Sequence, residues 1–303
     1  MARSRRRAFP VTVTEEYVRI RPRLVRIAYA VLGSHADAED VVSDCWPKLM
    51  AADASSPILD VEVWAVVAVS RAALDVLRSA RVRRETYVGP WLPEPLVDSV
   101  DATSDRVTLD ESVRFALLVV LEALSPAERT SWVLHDLFGV PFDEVARIVG
   151  RTPTSVRQLA SRARRHVANG TSRFDVPADL HADAVRAFTR AAGTGVLADL
   201  LTTLDPDVVL ISDGGGAVSA ARRPVTGADH VARFLLGIAA KVGDSLRLHP
   251  CRVNGRDGLT LTVGDVLVGV VSFDVSASGR VNRIDMIRSP DKLALVDAAV
   301  WRE

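Results

Sequence analysis

Between Arg151 and Asn169 the sequence sets Arg157, Gln158, Ser161, Arg162, Arg164 and Arg165 in a stretch that carries no acidic residue. Arginine and glutamine at this density suit one kind of chemistry, because their donor arrays meet base edges in a DNA major groove and the phosphates beside it. Such a face needs an element to hold it on one side. Val156, Leu159, Ala160, Ala163 and Val167 recur opposite it at helical spacing, so the segment reads as a helix with an apolar stripe toward a core. A solvated cationic helix would look the same in isolation, and it is the preceding segments that separate the two readings.

Ser125-Pro126-Ala127-Glu128 has the form of a capping box with proline at the first helical position, and opens a helix to about Phe138 that ends at Gly139. Phe142 to Val149 is a second helix with Val145, Ile148 and Val149 inward and Ala146 small enough for a neighbour to approach. Gly150 stops it, and Thr152 caps the third helix ahead of Pro153. A scaffold helix, a short turn and a striped basic helix together predict a helix-turn-helix.

The chain has 303 residues, enough for about two or three domains. Hydrophobic residues at 48% and charged residues at 25% fit soluble globular domains, and a net charge of zero makes any nucleic-acid surface local. Lys48, Lys241 and Lys292 are the only lysines. Arginine suits bidentate recognition of phosphate and guanine, although a G- and C-rich genome gives the same bias. Cys45 and Cys251 lie far apart without C-x-x-C spacing, so neither a disulfide framework nor a metal site is expected, and a reducing cytoplasm fits. The basic start Met1 to Arg7 meets Glu15, Glu16 and Arg19 before any apolar core and reads as a flexible arm. The apolar runs Trp64 to Val69 and Phe115 to Val120 are too short to span a bilayer.

From Val13 to about Ala80 the pattern is helical. Tyr17, Ile20, Leu24, Ile27, Ala28 and Val31 form one stripe ending at Gly33. Asp37 through Met50 form a second helix, with Val41, Val42, Cys45, Trp46 and Leu49 inward, Asp37, Glu39, Asp40 and Asp44 outward, and Pro47 expected to cap or kink it. After a loop Ala52 to Asp60, Val61 to about Arg84 carries Trp64, Val67, Ala68, Ala72, Leu74 and Leu77 inside. Its later half exposes Arg71, Asp75, Arg78, Arg81, Arg83 and Arg84, a face that can follow a nucleic-acid backbone.

Ala28-Tyr29, Leu32-Gly33-Ser34, Asp37-Ala38-Glu39-Asp40-Val41-Val42, Trp64 and Leu74-Asp75-Val76-Leu77-Arg78-Ser79 together resemble domain two of the extracytoplasmic-function sigma factors. Arg83 to Pro95, with Trp91-Leu92-Pro93-Glu94-Pro95 at its end, is similar to the linker of the subgroup that carries an extra C-terminal domain, and the helix-turn-helix resembles domain four. The resemblance implies a sigma factor that directs promoter-specific initiation. Core RNA polymerase would dock on Asp37, Glu39, Asp40, Asp44 and Trp46. Single-stranded minus-ten DNA, with a base flipped out of the stack, would meet the loop Ala52 to Asp60 and Arg71, Asp75, Arg78 and Arg81. The minus thirty-five duplex would meet the basic helix. Ser43, Cys45 and Pro47 depart from the family pattern. The implied division is a basic arm 1–12, domain two 13–86, a linker 87–112, domain four 113–172 and a C-terminal domain 176–303. By composition Val97 to Asp110, with Asp98, Asp101, Asp105 and Asp110, is a tether.

Past Arg173 the pattern changes to helices at Leu180 to Ala192, Val196 to Leu204 and Gly227 to Val242, with strands at Asp207 to Ile211, Ser245 to Val253, Leu259 to Val263, Val266 to Asp274 and Val281 to Arg288. Helices before an antiparallel sheet predict an α+β domain with a cone-shaped cavity. This resembles the SnoaL-like, or nuclear-transport-factor-like, barrel fused in the same subgroup. Asp213-Gly214-Gly215-Gly216 and Pro290-Asp291-Lys292-Leu293 match its marker motifs, with Ala217 and Ser289 as departures. The glycines lack a phosphate-loop continuation and read as a turn needing positive φ.

Enzymes of this fold use an Asp or His as general base, and Asp213, His230, His249 and Asp265 are the candidates. None has a spacing that makes an acid/base couple, so a binding or regulatory domain is expected rather than an enzyme, with no cofactor and room for a small molecule in the cavity. The domain is expected to pack on Trp91 to Pro95 or on domain two, through Trp91, Pro93, Asp213, Gly214, Gly215, Asp291 and Lys292. A helix-turn-helix regulator independent of polymerase and an isomerase or cyclase fused to a DNA-binding front half are the alternatives. The sequence names no anti-sigma partner.

Overall fold

A computed structural model describes residues 12–84, 87–100, 113–171 and 176–302. The basic arm up to residue 11, the acidic stretch with Asp101, Asp105 and Asp110, and the side chains of Arg83 and Arg84 lie outside the described residues.

Three helices open the chain, α1 (Val13–Leu32), α2 (His35–Ser55) and α3 (Val61–Arg84). Thr12 and Glu15 form a capping box ahead of α1, and Gly33 ends it at φ 71°. Helix α2 runs through Pro47 to Ser55, further than its composition suggests, and so takes in the first residues of the expected loop. Proline removes a single backbone bond, and Val41, Val42, Cys45 and Leu49 keep both sides of the break buried. On α3 the buried stripe is Val61, Ala65, Val66, Val69, Ala73, Leu74, Leu77 and Ala80. Trp64, Val67, Ala68 and Ala72 are only half-buried, because α3 meets α1 and α2 on one side and the later helices on another.

The second helical unit comprises α4 (Phe115–Leu121), α5 (Pro126–Trp132) continuing into a π-helical turn Val133–Leu137, α6 (Phe142–Val149) and α7 (Pro153–Thr171). Both halves of the Ser125–Glu128 capping box form. The wider turn at Val133–Leu137 lets His135 reach the Val140 carbonyl at 3.0 Å and stack on Phe142.

The C-terminal unit packs α8 (Ala178–Thr194), α9 (Leu197–Thr203) and α10 (Ala228–Val242) on one sheet. Its strands are β1 (Val97–Asp98), β2 (Leu204–Asp213), β3 (Val225–Thr226), β4 (Leu246–Val253), β5 (Arg256–Val263), β6 (Val266–Val275) and β7 (Val281–Ile287), with α11 (Pro290–Leu293) after them. The spatial order is β1-β4-β5-β6-β7-β2-β3. Two expectations change here. The sheet is mixed rather than antiparallel, since β2 pairs parallel with β7, and among the described residues no pairing of β3 with β1 closes it into a barrel. The Val97–Asp98 end of the expected tether is itself a strand, pairing with Val253 and Arg252 at the β4 edge, where it covers backbone groups an edge would leave open.

Candidate nucleic-acid interface and interdomain junction

Helix α7 buries Val156, Ala160, Ala163 and Val167 and half-buries Leu159, the stripe read from its spacing. Arg157, Gln158, Ser161, Arg162, Arg164 and Arg165 are all exposed on the other side. They are not equivalent. Arg164 donates to Asp136 from Nε at 2.7 Å, and Arg162 pairs with Glu128 at 3.3 Å, so acidic groups of α5 and its π-helical turn hold two of the cations. Glu128 is held below the usual carboxylate range, first by its hydrogen bond from Ser125. The Arg157 guanidinium lies 5.4 Å from the Phe142 ring centroid. Gln158, Ser161 and Arg165 carry no ion pair or side-chain hydrogen bond among the described residues.

On α2, Asp40 and Asp44 are exposed, while Asp37 and Glu39 are half-buried. Glu39 pairs with Arg21, and Trp46 packs half-buried against Tyr17 with ring centroids 5.1 Å apart. On α3, Arg78 pairs with Asp75 at 3.2 Å, both exposed. The other two arginines face the second helical unit: Arg71 donates to the Arg147 carbonyl at 3.0 Å and Arg81 to the Leu124 carbonyl at 3.4 Å. Arg23 donates to the Phe138 carbonyl at 3.1 Å. Arg129, 1% exposed, donates to the Ala30 carbonyl at 3.2 Å and pairs with Glu122. The two helical units therefore share one core, which contains residues from Tyr17 to Val167.

The segment Tyr87 to Val97 is clamped between all three units. Asp213, fully buried at the end of β2, accepts from the Leu92 amide at 2.9 Å, from the Tyr87 hydroxyl, from the Gly215 amide at 3.0 Å and from Lys292 Nζ at 2.7 Å. Lys292 also donates to the Leu92 carbonyl and lies 4.2 Å from the Trp91 ring centroid. Burial first, and Asp213 beside it, push the Tyr87 hydroxyl pKa upward. The glycine turn is tight for two reasons. Gly215 and Gly216 have φ of 66° and 73°, and a Cβ on Gly214 would lie 2.6 Å from the Val218 carbonyl oxygen. Pro93 is buried within the clamp. Asp291 is exposed, and its neighbour Lys292 is the residue of that motif that reaches the linker.

Sequence reasoning missed two further contacts. The Glu94 carboxylate caps α2, accepting from the Ser34 hydroxyl at 2.9 Å and the His35 amide at 2.7 Å. Asn254 is buried in the β4–β5 turn with φ 46°. Its Nδ2 donates to the Tyr29 hydroxyl at 2.9 Å and to the Val113 carbonyl at 3.0 Å, and its Oδ1 accepts from the Leu96 amide at 3.1 Å. One side chain thus touches the first unit, the second unit and the linker. The Asn254-Gly255 pair signals a hairpin turn, but nothing in it points to those partners.

A cavity of about 150 Å³ lies between α10 and the sheet, walled by apolar side chains and Arg288. None of Asp213, His230, His249 or Asp265 lines it. Asp213 belongs to the clamp, His230 faces the Thr226 carbonyl, His249 meets the Thr262 hydroxyl and Asp265 is exposed. Elsewhere in the sheet, Asp274 and Asp285 are buried side by side with Arg283, which pairs with Asp285 at 2.8 Å. Burial first, then Asp285, pushes the Asp274 pKa up to about 8. Among the described residues no cluster of side chains could hold a metal ion, and no helix is long and apolar enough to cross a membrane.

The chain matches the family models for sigma-70 region 2 over residues 17–83 and sigma-70 region 4 over residues 114–167. It is 42% identical over 234 residues to the ECF RNA polymerase sigma factor SigJ of Mycobacterium tuberculosis, covering 76% of this chain and 74% of that one. The probable ECF RNA polymerase sigma factor SigI of the same organism is 36% identical over 276 residues, 90% of this chain and 92% of that one. The crystal structure of SigJ superposes with a TM-score of 0.75 at 35% identity, covering 93% of this chain and 98% of that one.

Proposed function

The chain belongs to the extracytoplasmic-function RNA polymerase sigma factors, and from that membership we propose how its parts divide the work of promoter-specific transcription initiation. Its partners are core RNA polymerase and promoter DNA. Residues 13–86 act as domain two, 113–172 as domain four and 176–303 as a SnoaL-like domain joined through the linker 87–112. The exposed acids Asp40 and Asp44, with Asp37, Glu39 and Trp46 beside them, are the face for core polymerase. Arg71, Asp75, Arg78 and Arg81 are the face for single-stranded minus-ten DNA, where cations and stacking surfaces offset the unstacking of a base. The exposed side of α7 reads the minus thirty-five duplex.

The C-terminal domain modulates this activity in cis. The observation that carries the reading is Lys292 Nζ, which bridges the Asp213 carboxylate and the Leu92 carbonyl and so ties the domain to the linker between the two DNA-reading units. With Arg71 and Arg81 engaged by carbonyls of the second helical unit, the clamp favours a closed arrangement that must open before both promoter elements are bound. Reconstituted transcription with sigma-free polymerase tests this. Chains truncated after Arg173, or carrying Asp213→Ala, should change start-site-specific transcript yield relative to the full chain. Unchanged yield in both defeats the regulatory reading.

A further inference from the structure

We propose that the cavity between α10 and the sheet binds a small, mostly apolar molecule carrying one anionic group, with Arg288 as that group's partner.

The walls set the size and polarity. Phe188, Leu236, Leu259, Val271 and Met286 line a space of about 150 Å³ with little polar surface. A cavity of roughly this volume lined by Leu, Ile and Phe takes up a benzene-sized guest, so one ring or a short alkyl chain fits. Leu236, Ile238 and Val242 on α10 and Leu246 and Leu248 on β4 are only half-buried, which leaves an apolar mouth between helix and strand.

Arg288 sets the charge. It is the only ionisable residue in the lining. Its Nη1 donates to the Ser219 carbonyl at 2.5 Å and its Nε to the Val268 carbonyl at 3.5 Å, and among the described residues no carboxylate pairs with it. Half-burial without a counter-charge disfavours its charged form and pushes its pKa down. A half-buried cation held only by carbonyl dipoles gains most from an anion, and its planar fork matches a carboxylate or phosphate.

The site also borders the clamp. The Arg288 amide donates to the Asp213 carbonyl at 2.7 Å, and Ser289, the next residue, packs against Gly215. A ligand that draws on the Arg288 side chain therefore bears on the strand end that presents Asp213 to Leu92 and Lys292. That coupling rests on the regulatory reading above; binding itself does not.

Calorimetric titration of the full chain with octanoate, octan-1-ol and octylamine tests the site. Octanoate should bind at least about tenfold more tightly than octylamine, with octan-1-ol between them. Arg288→Leu should erase the difference between octanoate and octylamine while keeping octan-1-ol binding, and Arg288→Lys should retain the preference, which guards against a folding artefact in the first variant. Ala239→Phe, which fills the mouth, should abolish all three. Absence of octanoate binding, equal binding of octylamine, or octanoate binding that survives Ala239→Phe overturns the proposal. A chain that binds octanoate with this preference, yet shows neither altered exchange of the Leu92 amide nor altered transcription, refutes regulation in cis and leaves the site standing.

Discussion

Lys292 Nζ lies 2.7 Å from the Asp213 carboxylate in a contact with side-chain exposures of 9% and 0%. Asp213 ends β2 and Lys292 lies in α11 just after β7, and their shared partner is the backbone of Leu92, more than a hundred positions earlier in the chain. A buried ion pair of this kind contributes little over an apolar replacement of both groups, but removing one member leaves the other charge buried.

The pair should respond asymmetrically to substitution. Asp213 keeps donors from Tyr87, Leu92 and Gly215 when Lys292 is replaced by methionine, whereas Asp213→Ala takes one acceptor from the Tyr87 hydroxyl, the Leu92 and Gly215 amides and the Lys292 ammonium together. Asp213→Ala is expected to lower stability by about 3 to 5 kcal/mol, and Lys292→Met by less. Urea unfolding measures both, and a larger loss for Lys292→Met would contradict the hydrogen-bond arrangement.

Asn254 joins the first helical unit, the second and the linker through one amide group. Asn254→Gly preserves the positive φ of the turn and deletes the side-chain bonds to Tyr29, Val113 and Leu96. At about 1 kcal/mol for each bond, the expected result is a loosened junction rather than an unfolded chain. Hydrogen exchange at the Leu96 amide should speed up, and small-angle scattering should report a larger radius of gyration. Unchanged exchange would remove Asn254 from the junction.

The contribution of Asp274 to stability should fall as pH rises from about 4 to about 8. Asp274 is pushed up to about 8 by burial and by Asp285, while the same group in the unfolded chain ionises near ~3.9. Across that window the folded state holds a proton the unfolded state has released, so this contribution is complete below the window and lost as pH passes the folded value, at no more than about 1.4 kcal/mol per pH unit. Asp274→Asn should flatten that slope. Urea midpoints for both chains at about pH 5 and about pH 8 decide it, and identical slopes would exclude Asp274 as the source.

The arginines of α7 should separate by role. Arg157→Ala and Gln158→Ala should weaken promoter binding by about 1 to 3 kcal/mol where the side chain is bidentate to a base, and little on scrambled duplex. Arg165→Ala should weaken both equally and lower the salt slope by about one. Arg162 and Arg164 should fall between, because each exchanges an exposed ion pair with Glu128 or Asp136, worth about 0 to 1 kcal/mol, for DNA. Fluorescence anisotropy over a salt series resolves the classes. Sequence-independent losses for Arg157 and Gln158 would make them phosphate contacts.

What could be read from residue order was what neighbours in the chain decide. The Ser125–Glu128 box, the stop at Gly150 and the stripe from Val156 to Val167 each depend on groups within about one or two helical turns, where pattern and propensity act directly. The strands after Leu204 were legible for the same reason, through alternation and turn residues. Local signals stopped α2 at Met50 where the helix continues to Ser55, and they misjudged part of the inner face of α3, where packing against helices on two sides chose a partly different stripe.

The sequence assigned Asp213 and Lys292 to a contact with the linker, but their individual hydrogen-bond partners, the Asn254 junction and the position of the Arg288 cavity were decided only by the tertiary structure. Asp213, Lys292, Leu92 and Asn254 have no mutual spacing to read, because a contact across some hundred residues exists only once sheet register and helix packing have closed the intervening loops. Sequence alone determined which surfaces carry charge and most of the segments that become helices or strands, with the Val97–Asp98 strand an exception. Folding determined which of those charges face each other away from water, since burial, and with it the strength of every ionic contact, is a property of the packed whole.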